Sequence, residues 1–164
     1  MSGIDGDLPE GYVAVVVSSY NESITNNLLQ GALDTLRGSG FPDERIVVIR
    51  VPGAWELVLP AMNIALSDAV VGVIALGAVI RGETSHDQHI NRAVTTALMN
   101  ASIASETPIA LGLLTCNNVE QAIQRSGGSM GNKGVEAAEA LLEMMRLGVK
   151  LDELLGVEDE EDQE

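Results

Sequence analysis

Aromatic side chains are scarce in this sequence: Tyr12, Tyr20, Phe41 and Trp55 are all there are in 164 residues. Ring stacking therefore cannot organise the core, which must close on branched aliphatics, and an aromatic on a surface turn becomes conspicuous. Cysteine is scarcer still. Cys116 stands alone, which excludes an intramolecular disulfide and fits a reducing compartment. Positive charge is short as well: 9 Lys and Arg face 24 Asp and Glu, for a net charge of −15. That sign argues against a nucleic-acid partner, because a phosphate backbone requires a basic face. No apolar run reaches the roughly 18 residues of a membrane span. The first residues, "MSGIDGDLPEG", carry neither the basic start nor the apolar stretch of a signal peptide. A cytoplasmic protein that binds neither membrane nor nucleic acid is the expectation.

The length suits one sizeable core and is short for two. Six of the last seven residues, "EDEEDQE", are acidic. This predicts a single domain over 1–157 and a solvated, disordered tail over 158–164. Without the tail the body is still net negative, so an anionic ligand needs local donors to hold it.

Valine-rich runs alternate with helical periodicity. "YVAVVVSS" (12–19) reads as a buried strand. Ile24, Leu28, Leu29, Ala32, Leu33 and Leu36 follow at helical spacing, with Asn21 as a candidate N-cap and Gly38 and Gly40 as the stop. "RIVVIRV" (45–51), "AVVGVIALGAVI" (69–80) and "PIALGLLT" (108–115) supply three more strands. Helices are predicted over about 56–67, about Asp87 to Ser105 and about Lys133–Leu147, with a short one at "VEQAIQR". "SGGSMG" reads as a flexible break between the last two helices. Apolar strands alternating with helices mean an α/β fold, a parallel sheet covered on both faces.

In such sheets ligands bind outside the carboxyl ends of the strands. There "SSYNES", "VPGAWE", "IRGETSH" and "LTCNN" must converge, which brings Tyr20, Trp55, Glu56, Arg81, Thr84, His86 and Cys116 to one rim. Each candidate has a plainer alternative. His86 and His89 are three apart and share a helix face. With Glu83 they approach a metal site that lacks a third neutral or thiolate ligand; otherwise they are ordinary polar residues, or one performs acid–base work near neutrality. "GETSH" opens a helix, whose free N–H groups and dipole favour an anion, and Thr84 is either a further donor there or a plain cap. Arg125 is a surface arginine or the charge that closes a phosphate site. Tyr20 and Trp55 fill the core or stack on a planar ligand, and Glu56 accepts from hydroxyls or is a first-turn glutamate. Cys116 reads as a small buried residue, with no base nearby to activate it. "GGSMGNKG" approaches a phosphate-binding loop, but Asn132 stands where the second glycine is needed and Gly134 where Ser or Thr is needed.

Taken together, "SYNESITNNLLQGALDTL", "VPGAWELVLPA", "GAVIRGETSH", "LGLLT" with "EQAIQR", and "GNKGVEAAEALLEM" resemble the lumazine synthase family over about residues 12–147. The resemblance implies a flavodoxin-like three-layer sandwich with a four-stranded parallel sheet. It implies condensation of 5-amino-6-(D-ribitylamino)uracil with 3,4-dihydroxy-2-butanone 4-phosphate to 6,7-dimethyl-8-ribityllumazine, the penultimate step of riboflavin biosynthesis, with neither cofactor nor metal. A non-catalytic lumazine or flavin binder, or a shell protein, is the alternative on the same scaffold.

By position, the resemblance makes Tyr20 the ring that stacks on the pyrimidine. Ala54, Trp55 and Glu56 would hold the ribityl chain, Ala78, Val79 and Ile80 would read the pyrimidine edge, and Leu111 would add a contact from the fourth strand. Glu83, Thr84 and Arg125 would bind the butanone phosphate, and His86 would be the catalytic histidine. Several positions depart from the family pattern: Glu83 replaces a small residue, Asp87 and Gln88 an aromatic-acidic pair, Ala93 a glutamate and Leu111 a phenylalanine, while Asn117 lacks an acidic charge. The resemblance also implies a homopentamer with sites completed between subunits, an icosahedral shell of pentamers as a further level, and riboflavin synthase as a candidate partner. The short 125–134 stretch favours the shell, whereas Pro9 before the first strand opposes it by stiffening the N-terminal segment.

Overall fold

A computed structural model describes residues 1–156. The acidic stretch expected to be disordered, 158–164, lies outside the described residues. Four strands, β1 (Tyr12–Ser18), β2 (Ile46–Val51), β3 (Val70–Ile80) and β4 (Ile109–Cys116), form one sheet in the order β2-β1-β3-β4. Every neighbouring pair is parallel. Helices α1 (Glu22–Gly38), α2 (Val58–Ala65), α3 (His86–Ser105), α4 (Val119–Arg125) and α5 (Lys133–Leu155) connect and flank it. The result is the parallel sheet covered on both faces that the alternation of strands and helices predicts, in the flavodoxin-like three-layer form that the resemblance implies.

Strand alternation divides the core into two layers. Val13, Val15 and Val17 of β1, with Ile74 and Leu76 of β3, pack under α1 and α5. Their neighbours Ala14, Val16, Val73 and Ala75 turn to the opposite face, against Ala61 of α2 and Val94 and Leu98 of α3. Because β1 and β3 are covered on both sides, their sequences are apolar at nearly every position, the buried Ser18 at the end of β1 being an exception, which is why no alternating pattern marks them. Each of these fully buried Val, Leu or Ile side chains contributes about 1.5–3 kcal/mol.

Three local features differ from expectation, each for a physical reason. Asn21 stands at the start of α1, but its backbone is left-handed (φ 59°) and its side chain caps nothing in the helix. The stretch after α4 is not a flexible break: β5 (Ser126–Gly128) and β6 (Gly131–Asn132) pair antiparallel, with Gly127 and Gly131 at positive φ shaping the turn. The near-match to a phosphate loop is thereby explained by helix packing. Asn132 Oδ1 accepts from Gly134 N (2.8 Å) as the cap of α5, while its Nδ2 donates to Asn27 O of α1 (3.0 Å). A Cβ on Gly134 would lie 1.9 Å from Leu28 O, so glycine is needed for the close approach of α1 and α5. Finally, α5 runs to Leu155, two turns past its predicted end, and stops at Gly156 in the left-handed conformation.

Candidate active site

The carboxyl ends of β1, β2 and β3 surround a pocket of about 450 Å³. It lies where the chain order reverses around β1, the position at which open α/β sheets bind ligands. Tyr20 and Asn21 reach it from the turn after β1, and Ala54, Trp55 and Glu56 from the turn after β2. Ala78, Val79 and Ile80 line it from the end of β3, and Thr84 and His86 from the start of α3.

The aromatic question has a clear answer here. Phe41 is the core aromatic, 4% exposed, whereas Tyr20 is 74% exposed and Trp55 61%. Open rings of this size at a pocket rim offer flat apolar faces to a planar ligand. Tyr20 is nevertheless tethered: Ser19 N donates to Val51 O (2.8 Å) and Tyr20 N to Pro52 O (2.9 Å). Across the pocket, Glu56 Oε2 accepts from Gly53 N (3.0 Å), which closes the turn and leaves the other carboxylate oxygen available to accept.

His86 is the first residue of α3 and is exposed, so its imidazole is reachable from the pocket. Thr84 Oγ1 accepts a long hydrogen bond from His86 N (3.4 Å), and Ser85 occupies the cap position without a side-chain bond to the helix. Thr84 is thus a turn residue just ahead of the helix, with its hydroxyl proton free to donate. Glu83 and Arg81 are exposed and do not line the pocket. His89 is exposed on the next turn of α3. Cys116 is buried, and that burial pushes its thiol up, only partly offset by the nearby Arg125 charge, so it offers no thiolate.

Besides Arg81, Glu83 and Cys116, Arg125 and Leu111 also lie away from this pocket. Arg125 lines a separate concavity of about 350 Å³ with Thr115 of β4 and Lys133 of α5. Its placement follows from the start of α4, where Asn118 Oδ1 accepts from Gln121 N and Gln121 Oε1 accepts from Asn117 N, both at 2.9 Å. One turn on, Arg125 Nη1 donates to Gln121 O (3.3 Å). Leu111 sits on edge strand β4, 42% exposed, and does not line the His86 pocket.

Sequence reasoning missed three neighbours of these sites. Asn21 lines the pocket, although its sequence position suggested only a cap. Asp87 lines it too, and its Oδ1 is buried without a hydrogen-bond partner. Lys133 joins Arg125 in the second concavity, with Nζ 2.8 Å from Glu136 Oε2. The signal for Lys133 was present in "GNKG", next to the residue that caps α5.

The family described as 6,7-dimethyl-8-ribityllumazine synthase matches residues 11–148. A relative of that name from Rhodopirellula baltica is 52% identical over 151 residues, spanning 92% of this chain and 97% of its own. Relatives of the same name from Desulfovibrio desulfuricans and Buchnera aphidicola subsp. Baizongia pistaciae are each 44% identical, covering 82% of this chain and 86% of theirs. The matched span contains all four strands of the sheet and every residue of both concavities, and the chain therefore belongs to the 6,7-dimethyl-8-ribityllumazine synthase family.

Proposed function

We propose that the His86 pocket condenses 5-amino-6-(D-ribitylamino)uracil with 3,4-dihydroxy-2-butanone 4-phosphate, giving 6,7-dimethyl-8-ribityllumazine, phosphate and water. The observation that carries this reading is the gathering of two open rings, a hydroxyl acceptor, a strand end and a histidine in one pocket. Tyr20 stacks on the pyrimidine, and the backbone of Ala78, Val79 and Ile80 reads its edge. Ala54, Trp55 and Glu56 hold the ribityl chain, with Glu56 accepting from its hydroxyls. Thr84 and the N–H groups at the start of α3 receive the phosphate, and Glu83 contributes through its backbone, its carboxylate turned to solvent.

Chemistry assigns His86 its work. The uracil's 5-amino group adds to the ketone, and loss of water from the carbinolamine gives an imine. Phosphate leaves, and the carbonyl that remains is attacked by the ribityl-bearing nitrogen, closing the second ring with loss of a second water. Each step moves a proton, which suits an imidazole that can both take and give one. Much of the acceleration comes from holding two reactants in register.

Arg125 and Leu111 are supplied by a neighbouring subunit. Their separation from the His86 pocket in one chain supports this, as does the acidic protein's need for a local cation at the phosphate. The proposed obligate unit is a homopentamer, with an icosahedral shell as its further assembly, riboflavin synthase as the partner that consumes the product, and the cytoplasm as its location. Among the described residues no helix is long and apolar enough to cross a membrane.

A non-catalytic lumazine or flavin binder on this scaffold is not favoured, since the three relatives share the synthase name. Incubating the protein with both substrates and following lumazine absorbance separates the two. Product formation above the uncatalysed rate is expected; tight product binding without turnover would overturn the enzyme reading.

A further inference from the structure

The ladder between β1 and β3 ends at Val17 and Leu76, and the pocket opens beyond it. A side-chain hydrogen bond joins the two sides there. Asn21 Nδ2 donates to Ala78 O at 3.0 Å, across 57 residues of sequence. The backbone at Asn21 makes this reach available. A helix-capping asparagine usually has an extended backbone that turns its side chain toward the first N–H groups of its helix. At φ 59° and ψ 48° the Asn21 side chain instead makes its bond to β3. Its own carbonyl still accepts from Ile24 N (2.9 Å) and Thr25 N (3.1 Å), so the helix start survives without the side chain.

The corner after β1 is consequently held from both sides. Tyr20 N is bonded to Pro52 O at the end of β2, and the next residue is bonded to Ala78 O at the end of β3. Between these two anchors stands the most exposed aromatic of the chain, Tyr20. We infer that Asn21 is a positioning residue: its amide fixes the distance between the Tyr20 ring and the Ala78–Ile80 edge, and so sets the fit of the planar heterocycle. This inference rests on the proposed function, in which the pyrimidine occupies that gap. The contact uses one lone pair of Ala78 O and leaves the other, with the groups of Val79 and Ile80, to face the ligand.

Two variants separate positioning from a structural role. Asn21→Gly keeps the left-handed backbone at no steric cost and removes only the amide. Asn21→Asp keeps size and backbone preference but turns an acceptor toward Ala78 O. For Asn21→Gly, KM for the ribitylaminouracil is expected to rise about tenfold, the scale of one lost hydrogen bond. KM for the butanone phosphate and kcat at saturation should stay within about twofold of wild type on the same argument. Asn21→Asp should raise the first KM further, and the dissociation constant of the lumazine product, read by fluorescence titration, should follow in both. A residue that only starts a helix would lower the unfolding temperature and leave the ratio of the two KM values unchanged; that result overturns the inference. Tyr20→Ala guards the reading beneath it. Should Tyr20→Ala leave the pyrimidine KM unchanged, the stacking assignment fails and the positioning role falls with it. A normal Asn21→Gly beside a weakened Tyr20→Ala removes the positioning role alone.

Discussion

Lys150 Nζ lies 2.7 Å from Asp5 Oδ1 and 2.9 Å from Ser2 O, closing a clasp between the two ends of the described chain. Both partners fall outside the span matched by the family, 11–148. Gly3 packs so closely on α5 that a Cβ there would lie 1.8 Å from Glu143 O, and Leu8 packs against the core layer beneath α1 and α5. The N-terminal segment thus lies on its own α5 before Pro9 leads into β1.

The clasp is predicted to depend on acid. The hydrogen bond from Lys150, and then its charge, hold the Asp5 carboxyl below the usual carboxylate range. A carboxylate with a depressed folded value supports its contact fully above the unfolded value, about 4, and loses it as pH falls through the folded one. At neutral pH, Lys150→Met should speed amide hydrogen exchange in residues 2–8 by roughly 3- to 10-fold, as expected for a locally released segment. Asp5→Asn should act in the same direction but more weakly, because the bond to Ser2 O remains. Unchanged exchange in both variants would mean that the Gly3 and Leu8 contacts hold the segment without Lys150.

His86 and His89 make a second test. They share a face of α3, but only His86 lines the pocket. His86→Ala should slow the condensation by roughly 10- to 1,000-fold, below the ceiling of general acid–base catalysis because holding the two reactants in register is kept. His89→Ala should cost less than about threefold on the same reasoning. Steady-state rates at saturating substrates decide it, and equal losses in both variants would point instead to a shared structural role.

The sheet was legible because β1 and β3 are apolar at nearly every position, and the rim was legible because a parallel α/β sheet places its strand-end turns together. Tyr20, Trp55, Glu56, Thr84 and His86 follow from topology alone. Asn21 did not, since nothing in "SYNES" announces a left-handed backbone or a partner 57 residues away. The hairpin of β5 and β6 was equally hidden: its Gly-Gly and Met-Gly pairs fit a loose turn as well as a paired one. The extra turns of α5 went unread because Leu151, Leu154 and Leu155 are exposed, so they continue no buried stripe. Arg125 was named only through the resemblance, and its place in a concavity separate from that of His86 is a three-dimensional fact that no spacing encodes.

Two glycines of α5 should respond oppositely to alanine. A Cβ on Gly134 meets Leu28 O, whereas one on Gly148 has nothing within 4 Å. Gly134→Ala must push α1 from α5 and should cost about 2–4 kcal/mol, at the upper end for overpacking. Gly148→Ala should instead stabilise by about 0.5–1 kcal/mol through helix propensity. Denaturant midpoints at one protein concentration measure both, and a destabilised Gly148→Ala would mean that another chain covers that face of α5.

The proposed sharing of the site between subunits can be tested without a structure of the assembly. Arg125→Ala should raise KM for the butanone phosphate at least tenfold while leaving ribitylaminouracil affinity nearly unchanged, and Arg125→Lys should recover part of the loss, since the planar fork is replaced by a point charge. If His86 and Arg125 of one chain served the same site, subunits carrying either change would stay impaired however they were mixed. If each site takes His86 from one subunit and Arg125 from its neighbour, mixing restores intact sites. Equal amounts of His86→Ala and Arg125→Ala chains, dissociated together and reassembled, should regain about a quarter of wild-type activity, the chance that an interface in a cyclic ring receives both native residues. Activity that remains at the average of the two variants, with light scattering reporting a ring of five, would place Arg125 outside the neighbour's site while leaving the pentamer intact.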